Sequence, residues 1–133
     1  MKKIFASLLL AASMALSGCG EASMSSSTMK SNLEKKGYTA EVMNKTEAEA
    51  RIQGVKYVVS ITDALYSTKD KEVIVAFFCA NINDATKFME ENIQVMNAFA
   101  ELYTEEPKIG AHNNVAYVGS YNIVSAAGIP VSK

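Results

Sequence analysis

The chain has 133 residues, 49% of them hydrophobic and 20% charged, with two Cys and a formal charge of −1. That is one domain with an ordinary core, and a composition too apolar for global disorder. The basic excess that nucleic-acid binding requires is missing, and two Cys form neither a disulfide framework nor a four-thiolate metal site.

Lys2 and Lys3 precede an apolar stretch from Ile4 to Ala15. About 12 apolar residues are too few for a spanning helix, which needs about 20, and fit the apolar region of a secretory leader. Leu16-Ser17-Gly18-Cys19 follows. This run resembles the lipobox of bacterial lipoproteins: an aliphatic residue, a small residue, Gly or Ala, then the Cys that becomes the lipidated first residue. The resemblance covers the targeting segment alone. It implies cleavage after residue 18, a diacylglyceryl thioether with palmitate-type chains on Cys19, and tethering to the extracytoplasmic face of the cell membrane. By the same resemblance, Gly20 rather than Asp after Cys19 implies outer-membrane sorting in a cell that has one. Two acyl chains at about 0.8 kcal/mol per buried CH₂ give stable anchoring.

Cleavage removes Lys2 and Lys3 and leaves 11 basic and 14 acidic side chains, a charge of −3. A mildly acidic chain is not drawn to anionic lipid, so the acyl groups must supply the membrane affinity. Gly20 to Ser27, all small or polar apart from Met24, reads as a flexible tether; eight such residues reach about 16 Å as a coil. The expected division is a leader at 1–18, lipidated Cys19 and tether at 19–27, and a single α+β domain at 28–133.

Within the domain, Ser27 or Thr28 is placed to cap a short helix through Lys36, with Met29 and Leu33 inward and Gly37 after its end. Tyr38 to Met43 alternates as a half-buried strand, Tyr38, Ala40 and Val42 on one face. Residues 44–54 are ambiguous: Thr46 and Glu49 have capping-box spacing, but Ala48, Ala50 and Ile52 alternate like a strand, and a short helix or turn is the favoured reading. Val55 to Ser67 is rich in β-branched and aromatic residues and is expected as a strand with a bulge at Asp63-Ala64. Residues 68–71 form a turn. Glu72 to Ala80 returns as a central strand, since both its faces are apolar.

Asn81 or Asn83 caps the main helix, Asp84 to about Tyr103. Its apolar stripe is Ala85, Phe88, Met89, Ile93, Met96, Phe99, Ala100 and Tyr103. Lys108 to Ala111 and Val115 to Gly119 flank His112-Asn113-Asn114 as a hairpin, because Asn tolerates the left-handed conformation of tight turns. Ser120 opens a last helix, Tyr121 to Ala127, stopped by Gly128 and Pro130. Together these predict an α+β fold: a two-layer sandwich of a three- to five-stranded antiparallel sheet packed by one long helix. Short helices lie at both ends, loosely as in the ferredoxin-like arrangement.

Chemical signals are sparse. The expected catalytic, cofactor and metal sites are none. His112 is the single histidine and sits in a turn; as a general base it would need a carboxylate partner such as Glu105 or Glu106. Cys79 lies in an apolar strand with no basic residue near it in sequence, so it is expected as a buried hydrophobe. Met89 and Met96 fall on the apolar stripe, where core packing explains them better than soft-metal binding. The Glu residues of the long helix read as its solvated face. Tyr suits interfaces because it buries a ring and keeps a wet hydroxyl. Tyr103 and Tyr121, near element ends, and His112 are therefore the interaction candidates.

The functional expectation is a non-catalytic lipoprotein, held in the membrane through Cys19, that serves as an accessory module for another envelope protein. The alternative is a domain binding a small solute or wall fragment in a groove between sheet and long helix, which requires a few hundred Å³. A weaker alternative is an envelope enzyme using His112.

Overall fold

A computed structural model describes residues 23–132, which contain the domain. The leader, Cys19 and the first residues of the expected tether lie outside the described residues. Contacts belonging to the domain start at Met24. Helix α1 (Ser26–Lys35) is capped by Ser25, whose hydroxyl accepts from the Thr28 amide. The cap is thus an earlier Ser of the same polar run, and Ser26 and Ser27 are helical rather than tether. Gly37, at φ +89°, follows the helix as its spacing predicted.

Five strands form one antiparallel sheet: β1 (Ala40–Asn44), β2 (Ile61–Lys69), β3 (Glu72–Cys79), β4 (Pro107–His112) and β5 (Val115–Ser120), in the order β1-β2-β3-β5-β4. Strand β3 is central and buried from Val73 to Cys79, as its two apolar faces require. β3 and β4 run in the same direction and are joined by the long helix α3 (Ile82–Tyr103), with β5 inserted between them. This split βαβ unit is what the domain shares with the ferredoxin-like arrangement.

Side chains on the two faces of β3 separate into two cores. Val75, Phe77 and Cys79 join Phe88, Met89, Met96 and Ala100 of α3 on one face. Ile74, Ala76 and Phe78 join Met29 and Leu33 of α1 and Ile123 and Val124 of α4 (Tyr121–Ala126) on the other. The domain is therefore an α+β sandwich of sheet and long helix, with the two short end helices closing the second face. Gly119 on β5 makes that closure possible. A Cβ there would stand 2.7 Å from the Val73 carbonyl oxygen and 2.8 Å from Val124 Cγ2.

Two expected elements are placed differently. Helix α2 (Lys45–Arg51) forms, but its capping box is Asn44 and Glu47, not Thr46 and Glu49. Residues 55–60 are not part of β2. They are extended and half-buried, with Ile52, Val55, Tyr57 and Val59 packed against the α3-side core, and they cross over the sheet instead of pairing in it. The bulge lies between Ile61 and Asp63, one residue before its expected place.

Candidate functional site

Tyr57 plugs the gap between α2 and α3. Its ring meets Phe77 edge-on at 6.3 Å and Phe88 at 6.0 Å, and its hydroxyl donates to the Ile52 carbonyl at 2.8 Å. Asn92 of α3, 2% exposed, holds the same segment: Oδ1 accepts from the Lys56 amide at 2.6 Å, and Nδ2 donates to the Lys56 carbonyl at 2.8 Å. One side-chain amide thus stands in for a strand neighbour at Lys56 and satisfies both of that residue's backbone groups outside the sheet.

Beyond this plug, toward the β2–β3 turn, the α3 side of the sheet is open. Tyr66 and Thr68 of β2 and Val73 of β3 face a cleft of about 370 Å³, with Phe99 and Tyr103 of α3 as its wall. The Phe99 and Tyr103 rings lie 5.0 Å apart at 45°. A narrower apolar pocket of about 80 Å³ shares Phe99 and continues over Val75, Met96 and Val118. Tyr66 is 37% exposed, Tyr103 61% and Leu102 74%. Tyr66 and Tyr103 thus stand exposed at the cleft itself, and Leu102 is exposed beside Tyr103 on the last turn of α3.

The cleft's rim is polar and paired. Lys71 on the β2–β3 turn lies 4.0 Å from Glu105, and both are well exposed, so the pair is weak. Glu41, the cross-strand neighbour of Tyr66, is gripped by Arg51 at 2.5 and 3.1 Å, and this guanidinium holds its carboxyl below the usual range.

Of the interaction residues expected from sequence, Tyr103 is in this cleft and the other two are not. Tyr121 is at the same end of the sheet but opens α4 in the opposite layer, half-buried, with Lys108 Nζ 5.9 Å from its ring centre. His112 is half-buried at the other end of the sheet, and burial lowers its pKa. Glu105 and Glu106 precede β4 and His112 ends it, so a strand of about 20 Å separates them. An acid/base pair between His112 and these carboxylates has no shared site.

Cys79 is 2% exposed, with its thiol pushed up to about 11, first by burial and then by the Asp84 charge. On the stripe of α3, Ile93 is 43% exposed and Asn92 takes the inward place. Among the described residues, no three of His, Cys, Asp and Glu converge as a metal-holding group, and no helix is long and apolar enough to cross a membrane. A second open cleft, about 440 Å³, runs along the outside of α3 between Lys56 and Glu90, Glu91 and Gln94. It has no aromatic lining.

In comparisons with family models, curated proteins and solved structures, nothing matches the chain.

Proposed function

We propose that the chain is a small lipoprotein, anchored by lipid on Cys19 at the extracytoplasmic face of the membrane. It docks another envelope protein, without catalysis, through the cleft of Tyr66, Phe99 and Tyr103. The lipobox-like run supports the anchor. The observation that carries the docking role is the exposed Leu102–Tyr103 end of α3 beside an open cleft. Burying those side chains against a partner would gain about 25 cal/mol per Å² of apolar surface.

The test is photo-crosslinking in intact cells, with benzoylphenylalanine in place of Tyr103 or, as a control, of Glu90. The expected result is one discrete adduct from position 103, absent from position 90 and lost in Cys19→Ala. Equal labelling from both positions, or none from 103, contradicts the docking role.

The solute or wall-fragment reading keeps one observation in its favour, because the cleft between sheet and α3 has the required few hundred Å³. Under that reading the crosslinks are absent, and neutral oligosaccharides or muropeptides raise the melting temperature in a Tyr103-dependent way.

A further inference from the structure

The described chain starts at the end of the sheet opposite the cleft. There Asn114, on the β4–β5 turn and 8% exposed, clasps Met24 by its backbone. Its Oδ1 accepts from the Met24 amide at 2.7 Å, and its Nδ2 donates to the Met24 carbonyl at 3.0 Å and the Cys79 carbonyl at 3.1 Å. The Cys79 amide in turn donates to the Asn114 carbonyl at 2.8 Å. Ser26 also donates to the Asp63 carboxylate at the β2 bulge, and Thr62 donates to the same carboxylate at 2.7 Å. The exit point of the tether is thus fixed to the rigid sheet, not hung from a loose end.

Five residue steps separate Met24 from Cys19, a reach of at most about 17 Å fully extended. Helix α3, with 22 residues, is about 33 Å long and runs from this end of the sheet to the cleft. A lipid on Cys19 therefore cannot bring the cleft to the bilayer without turning the tether end toward it first.

The chemistry of the two ends differs in the same sense. The segments gathered at the tether end are 23–25 (SMS), 59–62 (VSIT), 80–83 (ANIN) and 112–114 (HNN), and they contain no Asp, Glu, Lys or Arg. Burial lowers the pKa of His112, which favours its uncharged form. Ile82 is 37% exposed. Lys45 and Glu47 in the first turn of α2 and Asp84 in the first turn of α3 border these segments, and Asp63 is engaged by Ser26 and Thr62. The far end holds Glu34, Lys35, Lys36, the Lys69-Asp70-Lys71-Glu72 turn and Glu105-Glu106. Setting this end, whose turns carry no charge, on the headgroup layer desolvates fewer ions than setting the far end there.

We infer that the Asn114 clasp and the short tether stand the domain upright, with the end of Ser60, Ile82, Asn83 and Asn113 against the lipid surface and the Tyr66–Phe99–Tyr103 cleft facing away. This rests on lipid attachment at Cys19. The surface proposed for the membrane includes His112, which separates it from the partner-facing Tyr103.

The full chain is expressed and purified from membranes, and mass spectrometry of that sample records whether Cys19 carries lipid. Variants with one added cysteine, Ser60→Cys, Asn83→Cys, Lys36→Cys and Lys71→Cys, are labelled with a maleimide fluorophore; buried Cys79 does not compete. The labelled proteins are reconstituted into vesicles of phosphatidylethanolamine and phosphatidylglycerol carrying a nitroxide-headgroup lipid. Quenching is expected to be several-fold stronger at positions 60 and 83 than at 36 and 71. A flexible Gly/Ser insertion of about 15 residues after Glu21, which leaves the domain untouched, adds about 20 Å of reach and should narrow that contrast. Asn114→Ala should narrow it too. Lipid on Cys19 with equal quenching at all four positions overturns the orientation alone, and a contrast unchanged by the insertion overturns the role of the tether. An unmodified Cys19 overturns the anchored reading itself, and the orientation with it.

Discussion

Asn92 and Asn114 solve the same problem in two places. Each buried side-chain amide pairs with both backbone groups of one residue, Lys56 or Met24, and so attaches an extended segment that no strand borders. Removing such a group leaves buried partners unsatisfied, at a cost of about 1–3 kcal/mol. Asn92→Ala is expected to lower stability by about 2 kcal/mol, seen as a lower urea midpoint with an unchanged slope, and a loss under about 0.5 kcal/mol would contradict its pinning role. Gly119→Ala forces a Cβ onto the Val73 carbonyl and the Val124 methyl, so a loss of about 2–3 kcal/mol is expected in the same assay.

Tyr38 gives a pH signature. Its hydroxyl donates to Glu72, which also accepts from Asn122 at 2.9 Å. Burial first, then the Glu72 hydrogen bond and the Glu72 and Asp70 charges, push its pKa up to about 12 from 10.0. A folded-state pKa above the unfolded one means the contribution is complete below pH 10 and is lost as pH rises toward 12. Tyr38→Phe should therefore lose less melting temperature than the native chain between pH 9 and pH 12. Parallel declines in the two proteins would show that Tyr38 is not responsible.

At the scale of elements, helices and central strands were legible because their signals are local. The stripe of α3, the double apolar face of β3 and the Asn-rich β4–β5 turn each state their own conformation. Residues 55–60 were not, for a physical reason: alternation reports extended, half-buried backbone and says nothing of what satisfies its amides. Here Asn92 satisfies that of Lys56, from 36 residues away in sequence. A signal was present, since position 92 falls four residues after Phe88 and four before Met96 on the inward stripe, where a polar residue must have a partner. Sorting that stripe by residue type placed Ile93 inward instead, and the structure exposes it. The caps were misplaced for a related reason. Runs such as Ser25-Ser26-Ser27-Thr28 and Asn44-Lys45-Thr46 offer several competent residues, and tertiary contacts choose among them. The cleft was half legible. Tyr103 was identifiable from its place at a helix end, but Tyr66 and Phe99 join it only through the register of β2 and the direction of α3.

At the scale of the molecule, the sheet has two unlike ends. One holds the start of the described chain at Met24 and turns without charged residues; the other holds the charged turns and opens into the aromatic cleft. An anchored docking module needs this polarity, because a partner-binding surface is useful only where the membrane does not cover it. The whole reading hangs on Leu16-Ser17-Gly18-Cys19 being used as a processing site. The direct measurement is intact-mass and N-terminal peptide mass spectrometry of the protein extracted from membranes. The account predicts a chain that begins at Cys19 and carries a thioether-linked diacylglyceryl group, released from membranes only by detergent. A chain that retains residues 1–18, or is cut elsewhere with Cys19 unmodified, contradicts it.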